Sequence, residues 1–110
     1  MGFPVEEKQG FHVILLNGDV DLSRSPDARK VILKCLKKKH HVMVDLSAVE
    51  YIDSSGVASL VEGLQYARAN SLDFALLGVS DAAMSVLRLA RLDQVFPVYA
   101  TLDERIAEGV

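Results

Sequence analysis

The sequence has a single cysteine, no tryptophan and only three prolines among its 110 residues. Cys35 alone excludes an internal disulfide framework and fits a reducing compartment. No apolar run approaches the ~18 residues that a membrane span needs. The opening residues, MGFPVEEKQG, lack the basic and apolar regions of a secretory signal. The expectation is a cytoplasmic protein without membrane insertion. A basic surplus is missing too: fifteen acids stand against twelve bases, a net charge of −3, which argues against direct nucleic-acid binding. Catalytic signatures are equally scarce. There is no GxGxxG or GxxxxGK(S/T) phosphate cradle, no HExxH pair and no GxSxG elbow. His12, His40 and His41, even with Cys35, lack the fourth ligand and the spacing of a metal centre. No catalytic residue, metal or cofactor is expected, and a binding module fits better than an enzyme.

What is present is ordinary globular composition, half apolar and a quarter charged, which excludes a disordered chain. A chain of this size buries roughly two-thirds of its surface on folding, enough for one self-sufficient domain spanning residues 1–110. Short β-rich runs alternate with helical periodicities. Val13–Leu16 reads as a strand closed by Asn17-Gly18, with the segment around Val5 as its antiparallel hairpin partner. Ser25 reads as the N-cap of a helix with Pro26 in its first position, apolar at Ala28, Val31, Ile32, Cys35 and Leu36. His41–Leu46 and Phe74–Leu77 read as buried strands. Ser47–Glu50 reads as a connection, and the helical stripe of Val57, Leu60, Val61 and Leu64 as a second helix reaching about Asn70. Ser80 caps a third helix with Ala83, Val86, Leu87 and Ala90 on its apolar face. Val95–Tyr99 reads as a last strand, placed at an edge by Pro97, and a final helix follows Thr101 with Leu102 and Ile106 inward. This alternation predicts an α/β domain with a mixed, mostly parallel sheet of four or five strands and about four helices.

Two stretches carry chemical information. The first, Lys34 to His41, is basic. It reads as a solvated helix end that complements the dipole rather than as a phosphate contact, since no aromatic residue interleaves it for stacking. The second is Asp53-Ser54-Ser55-Gly56, between a strand and an amphipathic helix. Asp and Ser are good N-cap residues, so this run can be simply a helix start. A hydroxyl in this setting can also accept a phosphate, because a helix N-terminus favours an added anion. Its surroundings are acidic: from His41 to Asp81 there are six acids (Asp45, Glu50, Asp53, Glu62, Asp73, Asp81) and one base, Arg68. A phosphate there adds about −1.5 to −2 charge and can repel a partner without any catalysis by this chain. A nucleophile pair of Asp53 and Ser54 is disfavoured, since adjacency in sequence does not supply a positioned base.

From Val13 to Phe96 the chain resembles the STAS domain of bacterial anti-sigma factor antagonists. The likeness lies in Gly18-Asp19-Val20-Asp21-Leu22 ahead of Ser25-Pro26, and in Val44-Asp45-Leu46-Ser47 leading to Tyr51-Ile52-Asp53-Ser54-Ser55-Gly56. Leu76-Leu77-Gly78-Val79-Ser80 and Leu89-Ala90-Arg91-Leu92-Asp93-Gln94-Val95-Phe96 continue it. The chain carries Val57-Ala58 where many antagonists carry Leu-Gly. The resemblance implies helices largely on one face of the sheet and a mechanism of partner switching. In it an anti-sigma factor that is also a serine kinase binds the antagonist and phosphorylates it, and a serine phosphatase reverses the mark. Matched by position, the phosphoacceptor is Ser54, and Asp19, Asp21, Asp53, Ser55, Gly56 and Val57 belong to the partner-binding face. ATP would belong to the kinase. STAS domains also serve ABC-type lipid transporters as small subunits that bind the ATPase, and Val57–Gln65 is apolar enough for that docking role.

Overall fold

Continuous apolar runs such as His41–Leu46 and Phe74–Leu77 suit strands buried on both faces, where successive side chains point to opposite sides of a sheet, and the computed structural model builds that sheet with helices on both sides. It describes residues 3–109. The order is β1 (Val5–Lys8), β2 (Phe11–Val20), α1 (Ser25–Lys37), β3 (His41–Ile52), α2 (Ser54–Ala69), β4 (Phe74–Leu77), α3 (Asp81–Leu89), β5 (Val98–Tyr99) and α4 (Leu102–Glu108). The sheet runs β1-β2-β3-β4-β5. β1 pairs antiparallel with β2 and every other pair is parallel. The expected hairpin is therefore present. It turns at Gln9 and Gly10, both at positive φ, the geometry that matches the twist of the flanking strands.

One face of the sheet supplies Ile14, Leu16, Val42, Val44, Leu46 and Leu76. These pack with Ile32 and Leu36 of α1, Leu60 and Leu64 of α2 and Leu87 of α3. The alternate residues Val13, Met43, Ala75 and Leu77 form a smaller cluster on the other face, against Leu102 of α4. Three helices thus share a face and the short C-terminal helix holds the other. The total accessible surface is 6183 Å². Among the described residues no helix is long and apolar enough to cross a membrane.

Several local expectations are corrected. Asn17-Gly18 does not close β2. The strand runs on to Val20, and its register against β3 shifts between Leu15 and Asn17 and between Gly18 and Asp19. Gly18 takes φ +64 there, so the turn-like dipeptide forms an irregularity within a strand. Ser47–Glu50 is strand, because the extended end of β2 pairs with it. Ser25 is not the N-cap of α1: Arg24 occupies that place with no side-chain cap, and Ser25 is buried in the first turn. α2 begins at Ser54, ahead of its first apolar residue, because Asp53 caps it. The last strand keeps only Val98–Tyr99, at the sheet edge, and Ala90 is exposed just past α3. Ser80 caps α3 as expected, accepting from the Ala83 N–H at 3.2 Å.

Candidate functional site at the carboxyl ends of β2 and β3

β2 and β3 end side by side, with Asp19 opposite Tyr51 and Val20 opposite Ile52. Both strands turn there into helices, which brings the Gly18–Asp21 segment against the start of α2. The Asp53 N–H donates to the Val20 carbonyl at 3.4 Å. Gly56 seals the junction: a Cβ on it would lie 2.6 Å from Ile52 Cγ1 and 2.7 Å from the Val20 carbonyl oxygen. No side chain fits at that approach.

The two serines of the Asp53–Gly56 run are not equivalent. Asp53 Oδ1 accepts from the Ser55 N–H at 2.9 Å, the Ser55 hydroxyl at 2.6 Å and the Gly56 N–H at 3.2 Å. The Ser55 hydroxyl is therefore committed to the cap. Ser54, one residue earlier, points its side chain to solvent, and its hydroxyl takes no hydrogen bond among the described residues. The Ser55 hydroxyl bond, with the N–H groups of Gly56, Ser55 and Leu22, holds the Asp53 carboxyl below its ordinary value, with partial desolvation opposing them. Asp53 is thus a fixed carboxylate at neutral pH. The N–H groups expected to favour an added anion at this helix start are not all free. Two of those donors already serve Asp53, so an anion on Ser54 meets a carboxylate and projects outward, its support limited to the dipole of α2.

Asp21 repeats this arrangement before α1. Its Oδ1 accepts from the Ser23 hydroxyl at 2.6 Å and from the N–H groups of Ser23 and Arg24 at 3.0 and 3.3 Å, which lowers its pKa, the hydroxyl bond first. Asp19 is exposed. Gly56 and Val57 are buried and hold α2 against the sheet. Asp19, Asp21, Asp53, Ser54 and Ser55 are thus gathered at one end of the molecule on a shared surface, with Gly56 and Val57 beneath it.

Sequence reasoning missed three contributors. Leu22 is 74% exposed and Tyr51 50% exposed, two apolar groups flanking the Ser54 turn. Tyr51 lies in the part of β3 beyond Ser47–Glu50 and pairs with Asp19 there. Arg24 braces the irregular end of β2. Its guanidinium donates to the Asn17 and Asp19 carbonyls at 2.7 and 3.1 Å and stacks over the Phe3 ring. From Ser55 a shallow groove of about 290 Å³ runs between α1 and α2, past Pro26, Ala58 and the paired Arg29 and Glu62. Among the described residues no three His, Cys, Asp or Glu side chains gather as a metal site. Cys35 is buried, and burial pushes its thiol above the ordinary value.

A family model described as the STAS domain matches residues 3–105. The chain belongs to the STAS domain family. An anti-sigma-B factor antagonist of Staphylococcus epidermidis is 29% identical to it over 72 residues, which cover 64% of this chain and 67% of that one. The crystal structure of an anti-sigma factor antagonist from Mycobacterium paratuberculosis is similar at a TM-score of 0.82 and 26% identity, over 96% of this chain and 91% of that one. An anti-sigma-factor antagonist (STAS) domain protein of Planctomyces limnophilus shares the fold at a TM-score of 0.86 and 24% identity, over 98% and 97% of the two chains.

Proposed function

We propose that this chain is an anti-sigma factor antagonist that works by partner switching. Unmodified, it binds an anti-sigma factor that is also a serine kinase. Phosphorylated on Ser54, it releases that partner, and a serine phosphatase returns it to the binding form. The observation that carries this reading is the division of labour between the serines: Ser55 is held by Asp53, while Ser54 offers an exposed, uncommitted hydroxyl at the start of α2.

In the transfer step, Ser54 Oγ attacks the γ-phosphorus of the kinase's ATP. The new O–P bond forms as the bond to the β–γ bridging oxygen breaks, and ADP departs. The hydroxyl proton goes to a base of the kinase. Asp53 is a poor acceptor for it, since its carboxylate is held below the usual pKa range by the Ser55 hydroxyl and neighbouring N–H groups. The product carries about −1.5 to −2 charge beside Asp53. Like-charge juxtaposition across an interface costs several kcal/mol, and ~3 kcal/mol is about a 10²-fold loss of affinity. Gly56 and the buried Val57 keep the turn rigid, so the charge change acts on the partner and not on the fold.

The test is capture of partners by tagged Ser54→Ala and Ser54→Asp chains from the native cells, followed by titration with the protein recovered. The Ser54→Ala chain is expected to retain a kinase-type anti-sigma factor and Ser54→Asp to bind it about 10²-fold more weakly. Equal affinity contradicts the switch. Recovery of an ABC transporter ATPase instead assigns the chain to lipid transport, with the Asp53–Gly56 turn acting as a helix start and contact surface.

A further inference from the structure

The outer face of α1 is the feature that the Ser54 mechanism does not use. Half of the twelve bases fall within the eleven residues from Arg29 to Lys39, a window without a single acid, while the other half is dispersed among fifteen acids. The helix dipole accounts for only part of this. Lys34 and Lys37 lie in the last turn of α1, where cations complement the dipole, but Arg29 and Lys30 sit in its first half. Arg29 is paired with Glu62 on α2 at 2.7 Å. Among the described residues, Lys30, Lys34, Lys37 and Lys38 form no ion pair. Lys30, Lys34 and Lys38 follow one another at spacings of four, where like charges repel. The fold gains no contact from this repulsion.

The lysines also border a shape. A furrow of about 560 Å³ runs the length of α1 with Pro26 and Leu33 in its lining and the cationic side chains around them. Lysine stems are hydrocarbon, so the furrow has an apolar floor and charged walls. It shares Pro26 and Arg29 with the groove that leads to Ser55.

We propose that this face of α1 docks an acidic amphipathic helix of a protein partner, its apolar ridge on Pro26 and the hydrocarbon stems of the lysines and its carboxylates against the ammonium groups. The exposed positions of α1 present no large apolar side chain to enter a bilayer and no aromatic ring to stack on a base. The choice of a protein over other polyanions rests also on continuity with the proposed Ser54 docking face. The test below does not use the Ser54 partner, so the two readings fail separately.

The experiment is an amide-shift titration of the ¹⁵N-labelled full chain. The probe is a glutamate-rich helical peptide of about 14 residues, roughly 20 Å long, with leucines at helical spacing, to match the 13 residues of α1. The expected result is saturable shifts along Asp27–Lys38, weakened at least ~10-fold by adding salt beyond the physiological range or by Lys30→Glu/Lys34→Glu/Lys37→Glu. Helical circular dichroism of that variant verifies its fold, and single Lys34→Glu, expected to weaken binding less, serves if the triple variant unfolds. The proposal is overturned if a peptide of the same composition with its leucines dispersed binds equally well, if shifts fall elsewhere, or if a DNA duplex or anionic phosphatidylserine vesicles bind this face more tightly than the peptide.

Discussion

The turns before α1 and α2 use the same local chemistry to different ends. In Asp21-Leu22-Ser23 and Asp53-Ser54-Ser55 the aspartate accepts from both the hydroxyl and the N–H of the serine two residues on. Each turn thereby commits the serine at its third position and turns its middle residue outward, Leu22 in one and Ser54 in the other. A third such turn, Asp45-Leu46-Ser47, makes the same bonds inside β3, yet there the middle residue Leu46 is fully buried because the strand directs it into the core. The turn alone does not create a site. Placed where a strand passes into a helix, it presents one side chain outward, and the identity of that side chain sets what it offers: an exposed apolar group at Leu22, an exposed hydroxyl at Ser54.

The strongest way to break the comparison is to remove the mount. Gly56→Ala places a methyl against the Val20 carbonyl and Ile52, and backbone cannot yield as a side chain can. The expected cost is about 2–3 kcal/mol despite the better helix propensity of alanine, read by urea denaturation. Wild-type stability would contradict the packing at this junction. Next, Asp53→Ala should cost about 1–2 kcal/mol, the upper range for an N-cap, because it also leaves the Ser55 hydroxyl without its acceptor. Asp21→Ala should cost less, since Arg24 and not Asp21 occupies the N-cap of α1.

Acid titration sharpens the same point. The carboxyls of Asp53 and Asp21 lie below the ordinary value of 3.8, held chiefly by the Ser55 and Ser23 hydroxyls. A group whose folded pKa is depressed contributes stability that is fully present above its unfolded value and is lost as pH falls through the folded one. Asp53→Asn keeps a capping oxygen and removes the titration. It should be somewhat less stable than wild type at neutral pH, where the carboxylate contributes, and should lose less stability as pH falls below about 4. An unchanged acid limb would show that the Asp53 bonds do not persist in solution.

Much of this architecture was legible beforehand because it rests on local pattern. The buried runs at Val13, His41 and Phe74 follow from unbroken apolar stretches and the stripes of α1 and α2 from helical spacing, and the Asp53–Gly56 run lies where those patterns meet. The rest depends on pairing at a distance. Asn17-Gly18 carries a local turn signature, and only the partner strand beyond it, Ala48 to Ile52, keeps the chain extended through Val20. Arg24 is an ordinary surface residue in sequence. Its role follows from the displaced carbonyls of Asn17 and Asp19, which no local pattern announces. The unequal roles of Ser54 and Ser55 likewise needed the geometry of the cap, since either hydroxyl could have faced the carboxylate.

The smallest expected stability effects test that inequality. Ser55→Ala should cost about 1 kcal/mol, the net worth of one partly solvated hydrogen bond. Ser54→Ala should stay within about 0.5 kcal/mol, as an exposed substitution does. Function should order them in reverse. The measurement that bears most directly on the central claim is phosphosite mapping of wild-type, Ser54→Ala and Ser55→Ala chains isolated from the native cells. Phosphate on Ser54 in the wild-type and Ser55→Ala chains, and none on Ser54→Ala, is the predicted result. Phosphate carried by Ser55, or a Ser54→Ala chain as fully modified as the wild type, would contradict it.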